Sequence, residues 1–235
     1  MADGIYVSMC GAVARAEQLD AVADNLANAQ TPGFKAARPA FESFLAPGAA
    51  QDKRYAAAVA TGIDLRPGPT QRTGNALDVV PEAGMFLTVR TAGGGTAYTR
   101  DGRLTLDPDR RLVSDGRPLL SAQGEPIVLP PDLEARVDAA GRVWAGDVEV
   151  AALGLARLDG PVDRVGPSLL APGAGGRALP AEGAVRSGEL ELGNAGALEA
   201  SIQLVSAQRA YEASLQAIQT YRQLDQRAVE VARVK

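Results

Sequence analysis

The stretch that decides the fold runs from Asn25 to Lys35 and reads NLANAQTPGFK. Its first residues continue a helical pattern, and its last residues end that pattern. A residue that precedes proline is pushed out of the α region, so Thr31 ends the helix. Pro32 and Gly33 suit the two central positions of a type II turn. The stretch therefore predicts a helix that ends here and a chain that turns sharply.

The segment before this turn carries an apolar seam from Gly4 to Ala29. Asp3 can cap its N-terminus. Steps of three and four residues persist for more than three heptads, which predicts a helix with a coiled-coil-like face. The seam residues are Ile5, Met9, Ala12, Ala16, Leu19, Ala23 and Leu26.

A second helix is predicted at the other end of the chain. No glycine or proline occurs from Ala197 to Ala232, and at 1.5 Å per residue such a helix would be about 50 Å long. Its seam residues are Leu204, Ala207, Tyr211, Ser214, Ile218, Tyr221, Leu224, Ala228 and Val231. The two matching seams predict that the helices pair. Because both are rich in alanine, they bury little surface, and we expect further helices from other chains to complete the packing.

The middle of the chain has a different pattern, with short β-branched or leucine-rich runs separated by turn signals. Hairpin turns are expected at 100–102, 114–116 and 140–141, and AGGGTAY is expected to form a hairpin loop. The prediction is an α+β protein: terminal helices pairing as a coiled-coil-like layer, with a central antiparallel all-β domain. The expected domains are 1–35 (helix and turn), 36–72 (largely extended connector), 73–188 (β domain, its stretch 172–186 a second connector) and 189–235 (helix).

Composition excludes several classes of function. The chain has no histidine and one cysteine, Cys10, so histidine-dependent catalysis, histidine metal sites and an internal disulfide are ruled out. Cys10 lies on an apolar helical pattern and is expected to be a buried small hydrophobic residue, with a reactive thiol as the alternative. A net charge of −4 without basic runs argues against nucleic acid as a partner. We expect no cofactor, no membrane insertion and no cleaved signal peptide.

Three blocks of sequence, in this order, resemble the bacterial flagellar rod and hook family of axial proteins. They are DNLANAQTPGFKA, then TGNALDVVPEAGMFLTV with AYTRDGRLTLD and RLVSDGRPLL, and finally GELELGNAGALEASIQLVSAQRAYEASLQAIQTY. The opening GIYVSMCGAV and the length are most similar to the proximal-rod branch, with the distal-rod branch as the close alternative. The chain departs from the family pattern at 82–86, at Gly193-Asn194-Ala195 and at Ser214.

The resemblance implies a structural subunit and not an enzyme. Family members are exported through the flagellar type III apparatus without a cleaved signal and assemble in the periplasm. There they form the helical basal-body rod, with other copies and other rod proteins as partners, and transmit torque from the motor to the hook. The rivals are a distal-rod or hook-related paralogue, a self-contained secreted coiled-coil and β structural protein, and a hydrolase using paired carboxylates such as Glu189 and Glu191.

The resemblance also singles out residues for the assembly interface. Asn25 and Asn28 share one helix face, and their amides are expected to form hydrogen bonds across a subunit contact. The alternatives are a solvated polar face and a fraying last turn of the helix. Arg209 is expected either in ion pairs between subunits or on a solvated face. Trp144 is expected in the domain core or at the next subunit. The expected interface residues are Ile5, Met9, Leu19, Asn25, Leu26, Asn28, Pro32, Gly33, Phe34, Asn194, Leu204, Arg209, Tyr211, Ile218, Tyr221 and Leu224.

Overall fold

The structure, a computed structural model, describes residues 2–44, 55–131 and 133–233; it does not describe the side chains of residues 2–7, 39–44, 55–61, 225 and 228–233. The chain divides into two compact units. The first consists of Met1–Ala27, Ala37–Gly62 and Ala197–Lys235, and the second of Asn28–Ala36 and Ile63–Gly196.

Two helices dominate the first unit, and they pack against each other. Helix α1 spans Ala2–Ala27 and helix α2 spans Ala197–Arg233, which confirms the predicted helix at each end of the chain. Strands β1 (Ala37–Phe44) and β2 (Tyr55–Ile63) form a two-stranded sheet. No helix in the described part of the chain combines the length and apolarity needed to cross a membrane.

Burial along the helices follows the α2 seam better than the α1 seam. On α2, Ala207 is buried, and Leu204, Tyr211, Ser214 and Ile218 are half-buried. Tyr221 and Leu224, toward the C-terminal end, are exposed. On α1, Ala12 of the seam is buried, but the seam residue Ala23 is exposed, and Ala14, Val22 and Asn25 are buried outside the seam.

Two α1 side chains that were expected to be packed are more exposed to solvent than predicted. Met9 of the predicted seam is exposed, and Cys10 is half-buried where a buried site was expected. Small alanines on both helices explain this pattern, because they allow close approach and leave longer neighbouring side chains at the edge of the contact.

The second unit is built from short strands. They are β3 (Thr70–Arg72), β4 (Val79–Pro81), β5 (Met85–Arg90), β6 (Thr96–Thr99), β7 (Leu104–Leu106), β8 (Leu112–Ser114), β9 (Arg117–Pro118), β10 (Ala135–Val137), β11 (Arg142–Ala145), β12 (Val148–Ala152), β13 (Leu155–Asp159), β14 (Val162–Arg164), β15 (Leu169–Pro172), β16 (Arg177–Ala181), β17 (Val185–Ser187) and β18 (Glu189–Glu191).

The largest sheet of this unit has six strands in the order β14-β15-β6-β5-β13-β16, and its neighbours are antiparallel. Three-stranded sheets β7-β8-β9 and β10-β11-β12 accompany it. Strands β17 and β18 return to pair with β4 and β3, so the end of the unit closes onto its beginning. The core gathers residues from most of these strands, among them Leu87, Val89, Leu104, Leu112 and Val143.

Most of the predicted turns are present. Ser114 pairs with Arg117 around a two-residue loop, and strand β10 returns through Ala140 and Gly141 to β11. The loop within AGGGTAY joins the paired strands β5 and β6. Trp144 is half-buried, and its Nε1 donates a hydrogen bond to Asp138 at 3.0 Å.

Two expectations about the β region were wrong. Residues 100–102 do not close a hairpin, because β6 belongs to the six-stranded sheet and β7 pairs with β8 in another sheet. The stretch 172–186 is not a plain connector, since it contains β16 and the start of β17. Strand β16 pairs with β13 although it is rich in proline and alanine, because an edge strand needs hydrogen bonds on one side only.

Candidate functional site

The predicted turn after α1 lies within the β unit and is buried there. The Phe34 amide donates to the Thr31 carbonyl at 3.2 Å, and Gly33 has φ of +70°. These features confirm a type II turn with Pro32 and Gly33 at its centre. The Gly33 amide also donates to the backbone carbonyl of Glu191 at 2.8 Å, so the turn is bonded to β18.

Glycine is required at position 33 for two reasons. Its positive φ disfavours any residue with a side chain. In addition, a Cβ at this position would lie 2.1 Å from the Asp101 amide nitrogen and 2.3 Å from the Arg100 carbonyl carbon. The turn is therefore pressed directly onto the backbone that follows β6.

Phe34 fills an interior position of the same unit, with 0% of its surface exposed. The guanidinium of Arg164 lies 4.5 Å from the centre of its ring, within the range of a cation–π contact. Arg164 also donates a hydrogen bond to the Lys35 carbonyl. Arg164 therefore holds the chain after the turn at two points, the ring of Phe34 and the backbone carbonyl of Lys35.

A buried ion cluster, made of Lys35, Arg100 and Glu191, lies beside the turn. Lys35 Nζ is 2.6 Å from Glu191 Oε1, and Arg100 Nε donates to Glu191 Oε2 at 2.7 Å. The three residues are 1%, 2% and 0% exposed, respectively. Charged side chains are almost never buried to this extent unless they are paired. The cluster joins the N-terminal turn, the end of β6 and β18.

Backbone groups complete the hydrogen bonds of the cluster. The Gly68 amide donates to Glu191 Oε1 at 3.0 Å, and Lys35 donates to the Arg66 carbonyl at 2.8 Å. Arg100 donates to the carbonyls of Pro81, Glu82 and Met85. Both carboxylate oxygens of Glu191 are therefore occupied. A carboxylate engaged in this way is structural and is not free to exchange protons with a substrate.

The electrostatics follow from burial and pairing. Burial alone would raise the pKa of Glu191, but the hydrogen bonds and charges of Arg100 and Lys35 outweigh it and hold that pKa below 4.5. Burial lowers the pKa of Lys35 below 10.5, although Glu191 opposes the shift. The cluster contains two cations and one anion, so the Glu191 carboxylate is the counter-charge of both Lys35 and Arg100.

Asp101, whose backbone touches the turn, is a second buried acid. Burial raises its pKa from 3.8 to about 6, against the opposing hydrogen bond from the Arg103 amide. Because the folded-state pKa is above the ordinary value, protonation favours the folded state, and this contribution is lost as the pH rises through about 6.

Two asparagines fasten backbone segments. Asn194 accepts a hydrogen bond from the Ala36 amide at 2.6 Å and donates to the carbonyls of Asp64 at 2.7 Å and Arg66 at 3.0 Å. Within the helical unit, the Asn25 side chain exchanges two hydrogen bonds with the backbone of Ala37, at 2.7 and 2.8 Å. Both side chains make these contacts inside one chain. Asn25 is 6% exposed, and its expected bonds across a subunit contact stay a prediction.

The structure brings together only some of the expected site residues. Asn28 lies in the turn and accepts a hydrogen bond from the Thr31 hydroxyl at 3.2 Å. Arg209 is exposed on α2, whereas Leu19 and Leu26 are half-buried on α1. The side chain of Ile5 lies outside the described residues. Sequence reasoning missed Lys35, Arg100 and Glu191 as a cluster, although each of them falls inside one of the three quoted sequence blocks.

No group of histidine, cysteine or carboxylate side chains in residues 2–44, 55–131 and 133–233 is arranged to hold a metal ion. What the cluster and Asn194 can do is mechanical: they hold the residues after α1 and the residues before α2 to the same β unit.

Three segments of the chain match models of known protein families. Residues 5–35 match the family described as "Flagella basal body rod protein", residues 83–145 match "Flagellar hook protein FlgE/F/G D1 domain", and residues 186–231 match "Flagellar basal body rod FlgEFG protein C-terminal". The two terminal matches contain the turn residues and Glu191.

Individual proteins similar to this chain are also flagellar rod proteins. The flagellar basal-body rod protein FlgF of Rhizobium meliloti is 35% identical over 68% of this chain and 66% of its own length. FlgF of Salmonella typhimurium is 31% identical over 93% of both chains. FlgG of Bacillus subtilis is 28% identical over 99% of this chain and 100% of its own length. The chain therefore belongs to the flagellar basal-body rod protein family.

Proposed function

We propose that the chain is a structural subunit of the flagellar basal-body rod, placed in its proximal segment. The observation that carries the proposal is the similarity to the FlgF protein of Salmonella typhimurium, which extends over 93% of both chains. The subunit acts by polymerising with other copies and with other rod proteins. It performs no catalysis, in keeping with a family of structural flagellar proteins.

The terminal helices are the assembly elements in this proposal. They pair as a coiled-coil-like layer whose seams are too rich in alanine to bury much surface within one chain. Packing against helices of neighbouring subunits supplies the missing burial. The chain reaches its periplasmic position in the basal body through the flagellar type III export apparatus, without a cleaved signal peptide.

The buried ion cluster gives this subunit a route for torque. Force carried by the helices enters the β unit through the chain at residues 27–28 and 196–197. Those entry segments are fastened inside the unit by Lys35, Glu191 and Asn194. Buried, hydrogen-bonded charges resist separation more than exposed ion pairs, which are worth only about 0–1 kcal/mol.

A distal-rod role is the second candidate. It is favoured by the match to the Bacillus subtilis FlgG protein, which covers that protein's full length, but at a lower identity of 28%. The opening GIYVSMCGAV and the higher identities to FlgF proteins, 35% and 31%, favour the proximal branch.

Electron microscopy of basal bodies from a strain that lacks this gene tests the proposal. We expect rods that stop before the distal segment, and their completion when the full-length gene is restored. A truncation used in the same strain should end at Ala27, because Asn28–Ala36 belongs to the β unit. Rods complete through the distal segment in the deletion strain would refute the assignment.

A further inference from the structure

Helix α2 has two apolar faces at its N-terminal end. One face is packed in the helical unit, where Ala200 and Ala207 are 4% and 2% exposed. The other carries Leu198, Ile202 and Val205, which are 77%, 65% and 51% exposed. At 3.6 residues per turn, the two faces point in roughly opposite directions. A surface helix that packs on one side only has a polar opposite face, so the first turns of α2 are built for two partners.

Helix α1 presents an exposed stripe with the same spacing. Met9 and Val13 are 46% and 59% exposed, and the half-buried Ala16 and the exposed Asp20 continue the stripe. The steps between these four residues are four, three and four. On α2 the steps from Leu198 through Ile202 and Val205 to Arg209 are identical.

We infer that the exposed stripe of α1 docks, in parallel orientation, on the exposed stripe of α2 from a second copy of this chain. The inference rests on the proposed assembly through the terminal helices and names the surfaces that meet. Side by side, the stripes place Met9 against Leu198, Val13 against Ile202 and Ala16 against Val205, and they end with Asp20 opposite Arg209.

Charge decides the orientation. In the reverse orientation Asp20 would meet Leu198 and Arg209 would meet Met9, so both charges would face apolar side chains. In the parallel orientation the apolar residues meet each other and the opposite charges meet. Neither Asp20 nor Arg209 forms an ion pair in the part of the chain that the structure describes. Such charge matching mainly fixes register and partner.

The size and asymmetry of the stripes identify the partner as a second copy. A stable isolated pair needs about 1,200–2,000 Å² of total buried surface, and a stripe of a few side chains offers much less. Each chain, however, carries both stripes, and the two differ from each other. Contacts of this head-to-tail kind repeat from copy to copy and build an open helical array rather than a closed dimer.

A charge exchange in the full-length protein tests the inference. Asp20→Arg and Arg209→Asp are each expected to raise the critical concentration for assembly, measured by sedimentation, about fivefold or more, because like charges then meet. The double variant should return to within about twofold of the wild type. Arg157→Asp, on the exposed side of β13, is the matched control and should leave assembly unchanged.

Mixing two single-cysteine proteins in a Cys10→Ser background tests the orientation. Met9→Cys should form an intermolecular disulfide with Leu198→Cys and not with Arg209→Cys; the reverse result would overturn the parallel register. A critical concentration that is the same in the wild type and in both single charge variants would overturn the inference without contradicting the proposed function. A wild-type protein that never associates at any concentration would overturn the proposed function itself.

Discussion

Replacing Glu191 with glutamine is expected to lower the free energy of unfolding of the β unit by about 3–5 kcal/mol, the largest effect of any conservative substitution in the ion cluster. The shape of the side chain is kept, but Lys35 and Arg100 remain buried without a counter-charge. Denaturant unfolding followed by the fluorescence of Trp144, the only tryptophan, measures the change in this unit.

The control for this substitution is Glu149→Gln. Glu149 pairs with Arg142 at 3.7 Å, and its side chain is 43% exposed, so its loss should cost less than about 1 kcal/mol. Lys35→Met should cost less than Glu191→Gln, because it leaves Arg100 and Glu191 as a balanced pair. Equal losses for Glu191→Gln and Glu149→Gln would contradict the structural role of the cluster.

The effect of Glu191→Gln should also depend on pH. Because the folded-state pKa of Glu191 is below its ordinary value of 4.5, its contribution to stability is present above about pH 4.5. It is lost as the pH falls through the folded-state pKa. The difference in stability between wild type and variant should therefore be full near pH 7 and shrink below about pH 4.5.

Replacing Gly33 with alanine is expected to lower the free energy of unfolding of the β unit by about 2–5 kcal/mol. A side chain at a positive φ costs about 1–2 kcal/mol. The new Cβ would also lie 2.1 Å from the Asp101 amide nitrogen, so backbone must move, at a further cost of about 1–3 kcal/mol. The same fluorescence-detected unfolding measures the loss.

Gly94→Ala separates the two contributions. Gly94 has φ of +81°, and an added Cβ there meets nothing within 4 Å. It should therefore show only the cost of the backbone conformation. If Gly33→Ala were no more damaging than Gly94→Ala, the close packing of the turn on the Arg100–Asp101 backbone would be refuted.

The parts of this structure that local sequence determines were predictable. A glycine-free and proline-free run of apolar threes and fours gives α2, and the Thr-Pro-Gly-Phe order gives the turn. The turn at 114–116 could also be predicted from the sequence, because Asp115 and Gly116 tolerate the positive φ values that they adopt.

The ion cluster was not predictable in the same way. Lys35 and Arg100 lie 156 and 91 residues from Glu191 along the chain, and nothing local marks the three as neighbours. Most lysines and glutamates are exposed, so each residue taken alone indicates a surface position. Residues 100–102 looked like a hairpin for a related reason: an Asp-Gly pair marks a turn but does not specify which strands it joins.

The central claim is that the terminal helices complete their packing in other subunits. Hydrogen exchange of the full-length protein, below and above the concentration at which it assembles, tests it most directly. We predict that amides of α1 and of the N-terminal turns of α2 exchange rapidly in dilute protein and become protected on assembly, while amides of β5 and β6 are protected in both states. Helices that are fully protected in dilute protein and unchanged at every higher concentration would contradict the claim.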